Sequence, residues 1–526
     1  MFKAVAYEIR AGIPEICMNW PLRLNAVVQQ LCAAVVTVLD HDCAGLSRGV
    51  SRSARAEFIR GLNQAGRPEM RFSVPAAALA AATLAMPAPA LAAPKGAEAK
   101  MVATIDAERG RNLKLLKELV LVNSGTMNLA GVEQVGRRLA SELEAIGFET
   151  RWVPMPQVGR AGHLIATHKG NGAGKRLLLI GHLDTVFERD SPFQGWKVNG
   201  DVAEGPGVND MKGGDVVMVA ALRAMHAAGT LKDADITVVL TGDEEKPGAP
   251  LSVARADLIQ AGKTSDVALD FENLMRSGSQ DVGSIARRSS TYWTIRVKAP
   301  SGHSLGVCRP AFGCGAIYEL ARILDTFRRE LPEPNLTYNV GLVLGGSQAA
   351  LNADDTGGQA SGKKNVIAAE AIARGDIRTL SNEQEARVRA RMQAIVARHL
   401  DKAEAEIAFA EDGYPPMAPT EGNMALLARL NQVNATLGLP PMPQGDPADR
   451  GAGDIAFVSF IDGLVGLGVA GEGAHAPGET ADLKSFDIQA KRAALLMTRL
   501  SKEPRKILSR LRYQMFFFNV RDQSQS

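Results

Sequence analysis

The run Arg176-Leu-Leu-Leu-Ile-Gly-His-Leu-Asp-Thr-Val186 places a histidine and an aspartate directly after a short apolar segment. The same arrangement returns where Ile236–Leu240 is followed by Thr241-Gly-Asp-Glu-Glu245. Short apolar runs rich in branched residues predict parallel strands that are covered on both faces. Open α/β sheets bind their ligands past the carboxyl ends of such strands, so the polar tips of both runs are predicted to line one site. These tips carry the first candidate site residues: His182, Asp184, Glu244 and Glu245.

A third segment, Gly205-Pro-Gly-Val-Asn-Asp-Met-Lys-Gly-Gly214, lies between the two strands and contributes Asp210. Imidazole and carboxylate side chains without cysteine suit zinc or a closely related divalent cation. The histidine and the acidic residues together offer more ligands than one tetrahedral ion needs. Two metal ions that share a bridging carboxylate would use them all.

The composition is that of an ordinary globular protein, with 526 residues of which 46% are hydrophobic and 22% are charged. This length accommodates two or three domains. The formal net charge of +3 is too small to argue for a nucleic-acid partner, and no basic stripe with interleaved aromatic residues is present. We therefore expect no binding to nucleic acid.

The cysteines are few and unevenly distributed. Cys17, Cys32 and Cys43 lie in the first 69 residues, and only Cys308 and Cys314 follow. This number builds neither a disulfide framework nor a cysteine-rich metal site. We interpret Cys308 and Cys314 as small, buried apolar side chains near the start of a helix.

The N-terminal part has the pattern of an export signal placed inside the chain. Residues 70–92 begin with Met70 and the basic Arg71, continue with an apolar core and end at Ala90-Leu-Ala92, which is typical of a secretory signal peptide. A transmembrane helix is the rival interpretation, but the run is dominated by alanine and contains three prolines. We expect that residues 1–69 come from an over-extended reading frame. The mature protein would begin near Ala93, in the periplasm or outside the cell, without a stable membrane span.

The pattern of the chain changes between residues 288 and 411. Strand and helix signals follow there in the order βαββαβ, which predicts a small four-stranded antiparallel sheet with two helices on one face. The predicted fold class is α/β, with a mostly parallel sheet flanked by helices and an inserted α+β domain. The main domain is predicted at 93–287 and 412–503, the insertion at 288–411, and a tail of unassigned role at 504–526.

Five segments resemble, in order and in spacing, the two-zinc metallopeptidases that include glutamate carboxypeptidase, aminoacylase-1, acetylornithine deacetylase and succinyl-diaminopimelate desuccinylase. The segments are Gly181–Val186, Gly205–Gly214, Gly242–Glu245, Phe271-Glu272 and Gly473-Ala-His475. The resemblance covers roughly residues 100–500. It implies the zinc-peptidase fold of this family, in which the inserted domain serves as lid and as dimerisation domain.

The resemblance also implies which residues hold two zinc ions. His182 and Glu272 would bind one ion, and Glu245 and His475 would bind the other. Asp210 would bridge the pair. The ions would supply an activated water and polarise the carbonyl group of the scissile bond.

Further roles follow from the same resemblance. Glu244 would be the general base, and Asp184 would orient the first histidine ligand through its other ring nitrogen. In the insertion, His303 would reach into the active site of the partner subunit of a homodimer and stabilise the oxyanion. Asn365 and Arg378 would grip a carboxylate of the substrate.

Two departures from the family pattern bear on these roles. Asn273 follows Glu272 where a proline is common, so Asp270 stays an alternative ligand. His303 is followed by Ser-Leu-Gly-Val-Cys308 instead of the usual run of small residues, and this leaves the substrate class open.

Together these features predict an exported two-zinc hydrolase that removes a C-terminal amino acid from a small peptide or N-acyl amino acid, as glutamate carboxypeptidase does. A deacylase of N-acyl amino acids from the same family is the near alternative. A non-catalytic binding protein on the same fold is the remote alternative, and the intact Glu244 and ligand set argue against it.

Overall fold

The computed structural model describes residues 93–353 and 356–505. The expectations for residues 1–92 and for the tail beyond residue 505 lie outside the described residues. Across the described ranges, no helix combines the length and the apolar character that crossing a bilayer requires.

The described chain opens with three helices, α1 (Ala97–Ala107), α2 (Arg109–Val120) and α3 (Leu129–Glu144). The side chain of Asn128 caps α3 by accepting a hydrogen bond from the backbone N–H of Gly131. Apolar residues spaced three and four apart predict α2 and α3, but α1 was not predicted, because its alanine-rich sequence shows no strong apolar stripe.

Nine strands and three helices follow as far as residue 281. In chain order they are β1 (Glu149–Met155), β2 (Arg160–His168), β3 (Leu177–His182), β4 (Lys197–Asn199), β5 (Val202–Glu204), α4 (Lys212–Ala228), β6 (Ile236–Thr241), α5 (Leu251–Ala254), α6 (Ala256–Lys263), β7 (Val267–Asp270), β8 (Arg276–Ser277) and β9 (Gln280–Asp281).

The second half contains the remaining elements. They are β10 (Thr291–Lys298), α7 (Ala316–Glu330), β11 (Thr337–Gly346), β12 (Gln348–Leu351), β13 (Gly358–Ser361), β14 (Glu370–Arg378), α8 (Asn382–Val396), β15 (Glu404–Phe409), α9 (Glu421–Thr436), β16 (Asp462–Val465), β17 (Gly471–Glu472), β18 (Thr480–Asp482) and α10 (Leu483–Leu500).

The main sheet has six strands in the order β1-β2-β6-β3-β7-β16. The pairs β3–β6, β3–β7 and β7–β16 are parallel, whereas β1 and β2 extend one edge in antiparallel fashion. Leu177 and Leu179 of β3 belong to the core on one face, and Leu178 and Ile180 to the core on the opposite face. Successive side chains of β3 point to opposite faces of the sheet, and both faces are buried. This confirms the predicted mostly parallel sheet flanked by helices.

A separate four-stranded antiparallel sheet, in the order β11-β14-β10-β15, forms with α7 and α8 the body that we call the lid. On β10, Trp293, Ile295 and Val297 are buried against the two helices while the residues between them face outward. This confirms the predicted antiparallel sheet with two helices. The additional hairpin of β12 and β13 was not predicted.

The chain enters and leaves the lid along two segments that pair with each other. Ser290 pairs with Tyr414, and Arg287 pairs with Met417, both in antiparallel fashion. The two connections therefore run side by side between the sheets. The limits given above for the main domain and the insertion, at residues 287/288 and 411/412, stay predictions.

The interpretation of Cys308 and Cys314 as separate buried side chains is wrong. A disulfide joins them, with their Cα atoms 4.1 Å apart, and Cys308 is exposed. The chain reverses between them, because the backbone N–H of Cys308 donates to the carbonyl oxygen of Gly313 at 2.8 Å. A reversal of this kind depends on local turn geometry, and the spacing of two cysteines alone does not show it.

Candidate metal centre

The candidate site lies where three adjacent parallel strands of the main sheet, β6, β3 and β7, reach their carboxyl ends. His182 is the last residue of β3, and Thr241 of β6 lies directly opposite it. Asp270 ends β7 on the other side of β3. Glu244 and Glu245 follow β6, and Glu272 follows β7, so all three lie at the same end of the sheet as His182.

Five side chains from five separate segments meet there in two groups. Nε2 of His182 lies 3.1 Å from Oδ1 of Asp210 and 3.4 Å from Oε1 of Glu272. Nε2 of His475 lies 3.1 Å from Oδ2 of Asp210 and 3.1 Å from Oε2 of Glu245. In each group the potential ligand atoms lie within 4.8 Å of one another. Asp210 belongs to both groups, one carboxylate oxygen in each.

The alternative ligand Asp270 takes a different position. Its Oδ1 accepts a hydrogen bond from the backbone N–H of Glu272 at 3.0 Å. Asp270 thus shapes the turn after β7, whereas the Glu272 side chain joins the first group.

The loop before α4 presents Asp210 to both groups. The peptide bond between Asp210 and Met211 is cis, and α4 begins at the next residue. A Cβ atom on Gly214 would lie 1.9 Å from the carbonyl oxygen of Phe271, so only glycine lets this helix pack so closely on the end of β7. The glycines of the segment are therefore needed for the approach of the Asp210 loop to the strand ends.

Glu479 fixes the backbone of the Asp210 loop through hydrogen bonds. Its buried carboxylate accepts hydrogen bonds from the backbone N–H groups of Gly207, Asn209 and Asp210, at 2.9, 2.7 and 2.8 Å. Glu479 lies four residues after His475, in the connection between β17 and β18. The connection that carries one histidine of the site thus also fixes the backbone of the shared aspartate.

Asp184 joins the first histidine to the loop of the two glutamates. Its carboxylate lies 3.4 Å from Nδ1 of His182, and the same nitrogen lies 3.1 Å from the carbonyl oxygen of Asp184. The carboxylate also accepts hydrogen bonds from the backbone N–H groups of Glu244 and Glu245, at 3.0 and 3.1 Å, and from the hydroxyl of Thr126 at 2.6 Å. One fully buried carboxylate therefore orients both an imidazole ring and the glutamate loop.

A second buried network holds the glutamate loop from the other side. The guanidinium of Arg255 donates to Asp243 and Asp454 at 2.7 Å each and to the hydroxyl of Tyr414 at 2.8 Å. That hydroxyl donates to the carbonyl oxygen of Glu244 at 3.0 Å. Tyr414 belongs to the segment that returns from the lid, so the network links the lid connection to the loop of Glu244.

The crowding of acidic groups shifts the protonation of the cluster. Burial opposes the charged form of His182, but hydrogen bonds to Asp184, Asp210 and Glu272 outweigh it and raise its pKa well above the usual range. Hydrogen bonds to Asp210 and Glu245 raise the pKa of His475 to about 11. Without metal ions, protons on the two rings thus supply the positive charge that the carboxylates require.

Burial acts in the opposite direction on Glu244. It raises the pKa of this carboxyl well above its usual range; the positive charge of His182 opposes this rise, and the neighbouring acidic groups add to it. A carboxylate whose pKa is raised is a better proton acceptor, as a general base needs to be.

The arrangement fits a pair of divalent cations. Each group combines one imidazole nitrogen with carboxylate oxygens, the donor set that zinc accepts. Oε1 of Glu245 is buried and lacks a hydrogen-bond partner among the described residues. A cation would satisfy such an atom, and it would also replace the protons that the two histidine rings hold.

A cleft of about 530 Å³ opens beside the second group and extends to the lid. Glu244, Glu245 and His475 line it on one side, and Tyr292 and Arg378 of the lid line it on the other. Arg378 is thus placed where it faces the same space as the candidate base.

Two predicted residues are not brought to this cleft within their own chain. In the part of the chain that the structure describes, no hydrogen bond or ion pair joins His303 or Asn365 to the acidic cluster. They are instead neighbours of each other, because His303 pairs with Val366 and the N–H of Ser304 donates to the carbonyl oxygen of Asn365 at 3.0 Å. Both are exposed on the lid.

Sequence reasoning missed three residues around the cluster: Glu479, Tyr414 and Arg287. Nη1 of Arg287 is buried, lies 3.8 Å from Oε2 of Glu272, and has no hydrogen-bond partner among the described residues. Only Glu479 had a signal in the sequence, as an acidic residue close to the predicted ligand His475. Tyr414 and Arg287 come from the lid connections, and nothing in their local sequence places them at the site.

The fold and the site together define a metal-dependent hydrolase, and comparison with known proteins agrees. Residues 178–499 match the model of peptidase family M20/M25/M40. Since the match spans more than half of the chain, the protein belongs to this family.

Individual relatives cover most of the chain. Carboxypeptidase G2 of Pseudomonas sp. (strain RS-16) is 27% identical over 399 residues, which are 73% of this chain and 88% of that protein. Succinyl-diaminopimelate desuccinylase of Gluconobacter oxydans (strain 621H) is 25% identical over 384 residues, covering 71% of this chain and 93% of that protein. The structure of the Bacillus subtilis YXEP protein, a dinuclear metal binding peptidase from the M20 family, superposes with a TM-score of 0.52 at 18% identity, over 76% of this chain and 99% of that one. The fold prediction and the family prediction are thereby confirmed.

Metal binding to the cluster should release protons. Because the pKa of His475 is raised to about 11 in the metal-free protein, its ring is protonated at neutral pH, whereas a metal ligand must be neutral. The apparent zinc affinity should therefore rise with pH, by roughly tenfold per pH unit for each proton released. Calorimetric titration of the metal-free protein with zinc, in buffers of different ionisation enthalpy, counts these protons. His475→Ala is the control and should release fewer of them; heats that do not depend on the buffer would contradict this account.

Proposed function

We propose that the protein is a two-zinc carboxypeptidase that releases a C-terminal amino acid from a small peptide or N-acyl amino acid. The observation that carries this proposal is the pair of ligand groups sharing Asp210, with Glu244 beside them on an open cleft. The similarity to carboxypeptidase G2 supports the same substrate class.

Zinc is the proposed metal, with two ions per chain. His182, Asp210 and Glu272 would hold one ion, and Asp210, Glu245 and His475 would hold the other. Imidazole and carboxylate donors without cysteine suit zinc, and the structural relative that binds a dinuclear metal supports the number. When bound, the ions would supply Lewis acidity and lower the pKa of a water molecule.

Glu244 is the proposed general base. Its backbone is fixed on two sides, by Asp184 at the N–H group and by Tyr414 at the carbonyl oxygen. The buried carboxylate can take a proton from the attacking water and later pass it to the amine that leaves. Fixing the backbone limits where the carboxylate can go, which holds the base at a defined distance from the reacting atoms.

Arg378 is the proposed anchor for the substrate carboxylate. It lines the cleft opposite Glu244, and its Nε donates to Asp376 at 3.1 Å, which orients the guanidinium. A guanidinium can bind a carboxylate through two parallel hydrogen bonds. Asn365, which lies beside His303 on the lid, is proposed to assist from the partner subunit.

His303 is proposed to stabilise the oxyanion in the active site of the partner subunit. Its Nδ1 accepts a hydrogen bond from the backbone N–H of Leu305 at 3.2 Å. In its neutral form the ring therefore carries its proton on Nε2, which can donate to a carbonyl oxygen on which negative charge develops. The position of His303 away from the cluster of its own chain favours action across a dimer.

The surface of the lid supports a homodimer. β11 is an edge strand of the lid sheet, and edge strands offer unpaired backbone groups to a second chain. Four large apolar residues on β11 and the start of α7 are exposed, and clustered exposed apolar residues are typical of an interface. They are Ile317, Tyr318, Val340 and Val343.

A deacylase is the second candidate, because succinyl-diaminopimelate desuccinylase is also similar over most of the chain. Both reactions hydrolyse an amide bond with the same metal ligands and base. The two differ in the group on the acyl side of the bond. A hydrolysis screen over N-acyl amino acids, dipeptides and folate-type glutamates, with zinc analysis of the same sample, distinguishes them. Turnover of succinylated substrates alone would contradict the carboxypeptidase proposal.

Export to the periplasm or the medium is proposed from the signal pattern of residues 70–92. The disulfide of the lid supports it, since disulfides persist in oxidising compartments. N-terminal sequencing of the exported protein should find a chain that begins near Ala93. A cytoplasmic protein that keeps residues 1–92 would refute the proposal.

The adjacent glutamates should respond differently to the same substitution. Glu244→Gln keeps the shape but cannot accept a proton, so turnover should fall by at least about a hundredfold while both metals and substrate affinity are retained. Glu245→Gln is the matched control and should weaken one zinc site, because a neutral amide is a poorer ligand than a carboxylate. Metal content and substrate binding of both variants decide between the roles. Loss of metal in Glu244→Gln but not in Glu245→Gln would mean that the two assignments are reversed.

Mixing two inactive variants should restore activity if His303 acts across a dimer. A hybrid of His303→Ala and Glu244→Gln chains contains one site in which both groups are intact. Activity should therefore return toward about a quarter of the wild-type value after subunit exchange, which mass spectrometry of the intact dimers would verify. A mixture that stays inactive despite proven exchange would place His303 outside the partner's site.

A further inference from the structure

The loop that follows His303 is closed by the Cys308–Cys314 disulfide and folds back onto the histidine. The N–H of Cys308 donates to the carbonyl oxygen of Gly313 at 2.8 Å, and the N–H of Phe312 donates to that of Arg309 at 3.0 Å. The segment between the two cysteines therefore reverses its direction. These are the only cysteines after residue 43, so no other pairing is open to them in the described part of the chain.

Phe312 packs directly on the turn that carries His303. A Cβ atom on Gly302 would lie 2.6 Å from the ring of Phe312, and one on Gly306 would lie 2.8 Å from it. The Phe312 ring therefore rests on Gly302, which precedes His303, and on Gly306, the last residue of the short turn Ser304–Gly306. Only glycine at both positions permits this contact.

The disulfide also anchors the loop to the body of the lid. Cys314 lies two residues before α7, and a Cβ atom on Gly313 would lie 2.3 Å from the carbonyl oxygen of Asp401. The covalent bond thus ties the exposed Cys308 to the start of α7, a helix whose inner face packs in the core of the lid. The opposite side of the His303 turn is held by backbone hydrogen bonds to Asn365 and Ile367.

We propose that the Cys308–Cys314 disulfide and Phe312 are positioning elements that hold His303 for its action in the active site. This inference rests on the proposed role of His303 and extends it. The closed loop is short, so it removes little chain entropy from the unfolded state and adds only modestly to global stability. Its main effect is local, because the bond ties Cys308, which closely follows the turn beside His303, to the residues just before α7. Turnover therefore depends on the oxidised state of this loop, although neither cysteine touches the substrate.

The test combines loop variants with a variant of the histidine itself. His303→Ala should lower kcat by about a hundredfold, the usual effect of removing one oxyanion donor. Cys308→Ser/Cys314→Ser and, separately, Phe312→Ala should lower kcat by about tenfold, with KM changed much less, because displacing a donor weakens it without removing it. In the His303→Ala background the same loop changes should have no further effect on kcat. Such coupling is not expected of a purely structural disulfide, whose loss acts equally in both backgrounds.

Several controls accompany these measurements, with the substrate that the hydrolysis screen turns over fastest. Phe312→Tyr keeps the ring and should restore kcat, and Phe460→Ala, at a half-exposed phenylalanine outside the lid, should leave kcat unchanged. Zinc content and dimer mass should stay at wild-type values in all loop variants. Peptide mapping of the wild-type protein, alkylated without prior reduction, should recover Cys308 linked to Cys314.

The outcomes separate this inference from the proposed function. If His303→Ala lowers kcat but the loop variants do not, or if their effects add independently, the positioning role is overturned and the proposed role of His303 stands. If His303→Ala itself keeps wild-type kcat, the role of the histidine fails, and the positioning role fails with it. If the wild-type protein, alkylated without prior reduction, shows free thiols on both Cys308 and Cys314, the inference is overturned directly. Should the double serine variant fail to fold, Phe312→Ala decides the question alone.

Discussion

The site depends on one carboxylate that serves two groups of ligands. Asp210 reaches His182 with one oxygen and His475 with the other, at 3.1 Å in each case. The carboxylates of Glu245 and Glu272 belong to the same two groups, and negative charges at such short range cannot remain buried together without compensating positive charge. Protons on the two imidazole rings provide that charge in the metal-free protein, and two divalent cations would provide it more fully. The positive charge that the carboxylates need is thus the charge that cations bound by the two ligand groups would bring.

The position of Asp210 is itself fixed by backbone hydrogen bonds rather than by side-chain packing alone. Glu479 accepts hydrogen bonds from three N–H groups of the loop, those of Gly207, Asn209 and Asp210, and it lies four residues after His475. Movement of the His475 connection would therefore move the shared ligand as well. Burial raises the pKa of Glu479 to about 7, and the three N–H donors oppose that shift by favouring the carboxylate. The two halves of the metal centre, which lie far apart in sequence, are thereby held as one unit.

Glu244, the proposed general base, is held by a different set of contacts, and these reach toward the lid. Asp184 fixes the N–H of Glu244, and the Arg255–Tyr414 pair fixes its carbonyl oxygen. Tyr414 lies on the segment by which the chain returns from the lid, so the orientation of the lid connection and the placement of Glu244 are physically linked. A buried arginine with two carboxylate partners makes this link rigid, because each of its donors is satisfied only in one arrangement.

Much of the fold and the core of the site could be predicted from the sequence, because strand tips carry a local signal. The apolar run before His182 and the Glu244–Glu245 pair after β6 were sufficient to place both at one sheet edge, and the order βαββαβ was sufficient for the lid sheet. The contacts of Tyr414, Arg287 and Glu479 could not be predicted, because each depends on how distant segments pack. The disulfide was missed because two cysteines six residues apart look the same in a helix start and in a closed turn.

The most direct test of this account is the metal content of the purified protein, measured by elemental analysis on the wild type and on two variants. The account predicts two zinc ions per chain in the wild type, about one in His475→Ala, and fewer than one in Asp210→Ala, since the shared carboxylate serves both groups. One ion per chain in the wild type, or an Asp210→Ala variant that keeps both ions, would contradict it.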